Sequence, residues 1–225
     1  MKGLHRRSLT ASRRFRHNVI DGIRMNMVPA IVLFALSTAI TPGPNNAMIM
    51  ASGLNHGIQK SLPHFVGINV GFLVMVICIG FGLGTVFEAA PALHGIIKIV
   101  GLFYLIYLAW LIATTPTTNM DRKVAKPLSA LQAALFQWVN PKAWVMISGA
   151  IATFTSPASS IYSQVLLIAG IFFAVGTPSC LLWLLGGVSL GRVLKNPRHL
   201  KMFNVTMALL LVASVYPVAS ELLFP

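Results

Sequence analysis

The chain has few charged residues, and acidic residues are the scarcest of them. Only 9% of its 225 residues are charged, and four are Asp or Glu. Its two cysteines, Cys78 and Cys180, stand in apolar surroundings, without the spacing of a metal site or a disulfide framework. Soluble domains usually carry about a quarter charged residues. The scarcity therefore excludes an ordinary water-soluble domain, and the sequence gives no support to a metal site or a bound cofactor.

Apolar residues make up most of the chain instead. They account for 56% of the residues, and the mean hydropathy is +0.78. A helix needs about 20 apolar residues to cross a bilayer. Uncharged runs of at least about this length occupy residues 65–87, 99–119, 143–191 and 202–220. The sequence therefore predicts an all-α, polytopic membrane protein, with lipid as its surroundings.

The formal net charge of +13 first suggests a nucleic-acid partner. However, Lys and Arg are concentrated in residues 1–24 and beside the apolar segments. Positive residues next to membrane segments are the usual signal that orients a membrane protein. We therefore interpret the charge as an orienting signal and predict no nucleic-acid partner.

The chain divides into two parts. Residues 1–26 form a basic N-terminal tail that we expect to be disordered, or to lie upstream of the true start at Met25 or Met27. A signal peptide is an alternative, because small residues at positions 37–39 follow an apolar stretch. Residues 27–225 are predicted to form a single six-helix transporter domain.

Six membrane segments are predicted in that domain. They cover residues 27–54, 62–87, 95–115, 129–154, 161–190 and 202–223. Polar or proline-containing turns separate them, including residues 53–60 and the stretch with Glu88, Pro91 and His94. Gly67 and Gly71 should let another helix approach segment 2 closely. A further kink is predicted at residues 176–178.

Two of the segments contain an interruption. Residues 40–46 read Ile-Thr-Pro-Gly-Pro-Asn-Asn within segment 1, and residues 138–144 read Trp-Val-Asn-Pro-Lys-Ala-Trp within segment 4. Proline removes a backbone donor, and glycine allows dihedral angles that other residues resist. Interrupted helices in corresponding halves indicate a transporter binding site. The sequence thus predicts a 3+3 inverted repeat in which helices 1 and 4 are broken.

The interruptions also predict the site chemistry. Backbone N–H groups freed at a half-helix start can bind a carboxylate, and freed carbonyls can bind an ammonium group, so the pair suits a zwitterion. Lys142 is the one formal charge within an apolar segment; it is either functional or placed at the membrane interface. The predicted substrate-binding residues are Pro42, Gly43, Pro44, Asn45, Asn46, Asn140, Pro141 and Lys142.

These residues resemble the LysE/RhtB family of small amino-acid exporters. The most specific match is the Thr-Pro-Gly-Pro-Asn run at residues 41–45, supported by the glycines of segments 1 and 2, by residues 97–105 and by residues 140–143. The resemblance implies a multi-pass bacterial inner-membrane protein that exports amino acids or their derivatives, driven by an ion gradient, as an oligomer. The long tail departs from the pattern, as do Ala109 and Ala208 where many members have glycine.

Neither the coupling ion nor the orientation can be assigned to particular residues. All four acidic residues fall outside the segment centres, so a coupling proton or cation has no obvious carboxylate, and we interpret His64 as an ordinary interfacial histidine. The lack of buried acids favours a neutral or hydroxy-amino acid over a cationic one. Positive loops after segments 3 and 5 place both termini outside, whereas the basic tail prefers the inside.

Other functions have weaker support. A metal-ion exporter of similar size would need carboxylates or clustered His and Cys in the segments, which the sequence does not supply. An enzyme would need a catalytic motif, and none is present. A non-transporting membrane scaffold remains the second alternative to an amino-acid exporter.

Overall fold

The computed structural model describes residues 27–83, 91–115, 126–156, 159–194 and 196–223, so the basic tail lies outside it. All regular structure in these residues is helical, as the sequence predicts. The helices are α1 Met27–Ile40, α2 Pro44–Cys78, α3 Pro91–Thr114, α4 Ala130–Phe136, α5 Pro141–Phe154, α6 Ile161–Val193 and α7 Pro197–Leu223. A π-helical turn, Ile79–Leu83, follows α2, and a 3₁₀ turn, Gln137–Val139, follows α4.

The distribution of polar residues is the reverse of that in a soluble protein. Large apolar side chains on several helices are well exposed, among them Leu33, Val145 and Leu182 at 68%, 73% and 66%. Polar side chains such as Gln137 and Asn204 are fully buried. An apolar exterior of this extent in water would promote aggregation, whereas a bilayer accommodates it. The burial pattern therefore favours a membrane environment.

The described residues contain helices of different lengths, and only some of them are long and apolar enough to span a membrane. Among the described residues, two helical stretches are long and apolar enough, Pro44–Gly82 and Ile161–Val193. Shorter apolar helices cover Met27–Ile40, Leu102–Thr114 and Ala130–Val139. Length and composition therefore identify two spans, and the arrangement of six crossings in two inverted halves stays a prediction.

The long helix α2 folds back on itself at Gly57. This residue has φ 75° and ψ −178°, a left-handed conformation that favours glycine. Twelve residues of straight helix would separate Ser52 from His64 by about 18 Å. Their side chains instead lie 3.0 Å apart, Ser52 Oγ to His64 Nδ1. The last part of segment 1, from Pro44, and segment 2 are thus two arms of one hairpin, and the predicted polar turn lies at its tip.

Several predicted boundaries are wrong. Pro91 and His94 lie within α3 and not in a turn, because proline is well accommodated in the first turn of a helix. Helix α7 begins at Pro197, five residues before the predicted start. Helix α6 continues through residues 176–178 to Val193 with Pro178 inside it, and the kink predicted there stays a prediction.

Close packing at glycines holds the helices together. A side chain on Gly67 or Gly71 would collide with the backbone of α4, at Ala130 and Ala134. This confirms the close approach that their spacing predicts. On the other arm of α2, the backbone of Met50 fills the space beside Gly187 of α6. The hairpin is therefore held on one side by α4 and on the other by α6.

We expect Gly187→Ala to destabilise the fold, because the new methyl group would meet the Met50 carbonyl and the Leu54 amide. Overpacking against backbone typically costs about 1–3 kcal/mol. Gly170→Ala, on the same helix, is the matched control, since nothing lies within 4 Å of the position that its methyl group would take. Thermal unfolding of the purified protein in detergent should show a lower midpoint for Gly187→Ala alone. Equal midpoints would contradict this account of the packing.

Candidate transport site

The two Pro-containing interruptions lie in direct contact. Between α1 and α2, residues 41–43 are not helical, and between α4 and α5 the chain passes through the 3₁₀ turn and Asn140. Lys142, at the start of α5, reaches across to the backbone of Thr41 and Pro42. Stretches separated by about a hundred residues of sequence therefore meet in the fold.

The carbonyl end of α1 is held by two side chains. Asn46 Nδ2 donates to Ala39 O at 3.0 Å and to Thr41 O at 2.9 Å. The Lys142 ammonium group donates to Thr41 O as well, and lies 3.5 Å from Pro42 O. The C-terminal end of a helix carries partial negative charge and favours cations. This end of α1 is thus a cation site, and the chain's own lysine occupies it.

Gly43 provides the space for that lysine. Its φ of −172° and ψ of −179° are extended, so dihedral freedom is not what requires a glycine here, contrary to the prediction. A Cβ atom at Gly43 would lie 2.6 Å from Lys142 Cδ and 3.1 Å from its Nζ. The glycine is therefore needed for the close approach of the Lys142 side chain.

The two half-helix starts are not equivalent. Asn140 caps α5, because its side-chain oxygen accepts from Lys142 N at 3.1 Å and its carbonyl accepts from Ala143 N at 3.0 Å. At α2 the capping position is Gly43, which has no side chain to offer. The first N–H groups of a helix lack intrahelical partners. The start of α2, with Asn45 and Asn46, therefore offers N–H donors to an anion, whereas the start of α5 is satisfied internally.

A reciprocal amide pair joins the interruptions from the other side. Asn45 Nδ2 donates to Gln137 Oε1 at 2.8 Å, and Gln137 Nε2 donates to Asn45 Oδ1 at 3.1 Å. Gln137 is fully buried and also donates to Ala133 O at 2.9 Å. A buried amide left without a partner costs about 1–3 kcal/mol. The pair therefore fixes the start of α2 against the 3₁₀ turn.

These elements line a partly open cavity of about 70 Å³. Its lining comes from α1, both interruptions, the second arm of α2, α5 and α6, and includes Asn69, Phe72 and Phe172. One water needs roughly 10–15 Å³ in this measure, so the cavity has room for a molecule of a few heavy atoms. Lys142 is the charged group in the described lining, and none of those residues is acidic.

The structure separates the eight predicted site residues into two groups. Gly43, Asn45, Asn46, Asn140 and Lys142 line the cavity. The three prolines do not: Pro42 is exposed, Pro44 is buried, and Pro141 is the first residue of α5. The prolines begin or end helices, and the polar residues beside them face the cavity.

Sequence reasoning missed several lining residues. Asn69 lies between Gly67 and Gly71 on the second arm of α2, and Cys180 faces the cavity from α6. Thr38 contributes from the last turn of α1. A polar residue within an apolar segment is the signal that could have found Asn69, because such a residue rarely faces lipid.

A second cavity of about 70 Å³ lies along the first arm of α2, toward Gly57. Its lining includes Ser52, Asn55, His56, His64 and Lys126. His64 is 2% exposed, and its Nε2 has no hydrogen-bond partner among the described residues. The hairpin at Gly57 therefore turns His64 into the protein, and its interpretation as an interfacial histidine stays a prediction.

An apolar exterior, buried polar groups and a cavity between interrupted helices are typical of a membrane transport protein. Residues 36–220 match the family model described as LysE type translocator. The chain belongs to this family, which confirms the resemblance seen in the sequence.

Among curated proteins, the chain is similar to the cysteine/O-acetylserine efflux proteins of Escherichia coli strains K12 and O9:H4 (strain HS) and of Shigella flexneri. In each case 33% of 187 residues are identical, covering 83% of this chain and 94% of the relative. No solved structure matches the chain.

Proposed function

We propose that this protein is a secondary transporter that exports small neutral or hydroxy-amino acids across the bacterial inner membrane. The observation that carries the proposal is the cavity in which a carbonyl helix end and an uncapped helix start meet. A zwitterion has an ammonium group that suits the carbonyl end and a carboxylate that suits the helix start. The efflux relatives, named for cysteine and O-acetylserine, support a substrate of this size and charge.

In this proposal, each charged group of the substrate has its own partner in the cavity. The carboxylate binds the N–H groups at the start of α2, close to the amides of Asn46 and Asn140. The ammonium group binds the carbonyls of Thr41 and Pro42, where the Lys142 ammonium now lies. A cationic substrate would add a second positive charge beside Lys142, and the described lining has no acid to balance it. Neutral amino acids are therefore favoured over lysine or arginine.

Transport uses alternating access, driven by an ion gradient. The helices on either side of the cavity belong to the two predicted halves, α1–α3 and α4–α7. Movement of one half against the other would open the cavity first to one side of the membrane and then to the other. The same proposal divides the chain into a basic tail, residues 1–26, and a transporter domain, residues 27–225. It also includes a homo-oligomeric assembly.

A metal exporter remains the second candidate. In the described residues, no three His, Cys, Asp or Glu side chains come together in a metal-binding group. The cavity lining is rich in amides and apolar groups, which suit a zwitterion better than a metal ion. We therefore give the amino-acid exporter precedence.

The test is an export assay in cells that express the protein. Cells preloaded with single amino acids, including O-acetyl-L-serine, cysteine and homoserine, should release small neutral ones faster than cells with the empty vector. The same cells should resist toxic analogues of the exported compound. Release of metal ions alone, or no change in any export rate, would overturn the proposal.

A further inference from the structure

We infer that Lys142 is the proton-coupling group of the transporter: its ammonium and the substrate ammonium compete for one carbonyl site, and Lys142 loses its proton when the substrate takes that site. The inference rests on the proposed function and adds the coupling residue that the sequence does not supply.

The competing groups have the same chemistry. Backbone carbonyls accept hydrogen bonds and donate none, so the carbonyl end of α1 binds ammonium groups whatever their source. The Lys142 ammonium binds Thr41 O and lies 3.5 Å from Pro42 O. Asn46 already donates to Thr41 O at 2.9 Å, which limits the acceptor capacity left there. The end of α1 therefore cannot hold both ammonium groups well.

The surroundings make two positive charges at this place unfavourable. Among the described residues that line the cavity, none is acidic, and Cys180 is the other titratable side chain. His56, His64 and Lys126 line the second cavity and are not among the residues that line this one. Like charges repel strongly at short range in a medium of low dielectric constant. Loss of a proton by Lys142 relieves this repulsion, while the substrate stays a zwitterion.

The proton balance gives an antiport. When a zwitterion binds from the cytoplasm, an N–H bond of Lys142 breaks, the electron pair stays on nitrogen, and the proton passes to cytoplasmic water. The loaded cavity then opens outward and releases the substrate. The Lys142 amine takes a proton from external water and returns to the carbonyls of α1. One proton moves inward for each amino acid exported, so an acidic exterior drives export.

The test uses the full-length protein in liposomes loaded with O-acetyl-L-serine, with and without an acidic exterior. For the wild type, the acidic exterior should raise efflux by about five-fold or more, and a trapped pH dye should report inward proton movement. In Lys142→Gln, whatever rate remains should be the same with and without the gradient. Lys142→Arg should be inactive, because the guanidinium group does not give up its proton.

Two further variants keep the inference falsifiable. Lys142→His restores a titratable group, so gradient-driven efflux should return with its half-maximal pH shifted at least about one unit lower. If Lys142→Gln transports nothing, Lys142→His is the variant that tests the coupling role. Lys201→Gln is the matched control, because Lys201 also donates to a backbone carbonyl, Ala113 O at 2.8 Å, away from the cavity.

The outcomes separate the two proposals. Gradient-driven efflux that persists in Lys142→Gln, or no shift in Lys142→His, would overturn the coupling role while leaving an amino-acid exporter. A wild type that transports the amino acid without moving protons inward would also overturn the coupling role. The proposed function would instead be overturned if liposomes with the wild type released O-acetyl-L-serine, and every other amino acid, no faster than liposomes without protein.

Discussion

Asn140→Ala is expected to reduce export to the level of cells that lack the protein. Asn140 is 2% exposed, lines the cavity and caps the helix that carries Lys142. Alanine removes both the cap and the carboxamide that, in the proposed function, lies close to the substrate carboxylate. A hydrogen bond to a charged group contributes about 1.5–3 kcal/mol, which corresponds to a loss of about ten-fold or more in rate. Export of O-acetyl-L-serine from preloaded cells is the measurement.

Two further variants separate binding from capping. Asn140→Ser keeps an oxygen that can cap α5 but removes the carboxamide, so stability should return while export stays low. Ser129→Ala removes the capping box of α4 without touching the cavity, and it should export normally. All variants need equal amounts of protein in the membrane. Full export by Asn140→Ala would show that Asn140 does not contribute to substrate binding.

The sequence predicts where the helices are interrupted, because the Pro-Gly-Pro run and the Asn-Pro-Lys run have strong local effects on the backbone. In both runs a proline stands where a helix starts, at Pro44 and Pro141, whereas Pro178 lies inside α6. Composition alone likewise predicts an all-helical membrane protein. These predictions depend on short-range physics, and the structure agrees with them at α1, α2 and α5.

What the sequence could not supply depends on contacts between distant residues. Pro42 and Asn140 appear equally important in the sequence, yet Pro42 is exposed and Asn140 is buried against the cavity. A glycine is needed at position 43 because Lys142, about a hundred residues away in the sequence, packs against it, and no local pattern shows this. The burial of His64 likewise depends on the sharp reversal at Gly57. Helix ends are also misplaced by several residues, since proline can start a helix as well as stop one.

Gly43→Ala should reduce export by about ten-fold, because the new methyl group would move Lys142 away from the carbonyls of α1. The methyl position lies 2.6 Å from Lys142 Cδ, so the lysine side chain has to shift. The backbone angles at Gly43 are extended and accept alanine, so strain is not the cause. Export from preloaded cells measures the effect, and thermal unfolding measures its cost in stability.

A double-mutant cycle shows whether the lysine is responsible. If alanine at position 43 acts by displacing Lys142, its stability cost should largely disappear in a Lys142→Ala background, because the colliding atoms are gone. Additive costs, differing by less than about 0.5 kcal/mol, would mean that the two residues do not interact. Gly149→Ala is the matched control on α5, since its methyl group would meet only the Phe34 ring, at an ordinary 3.7 Å. Normal export by that variant, together with a loss in Gly43→Ala, would assign the effect to the space that Lys142 needs.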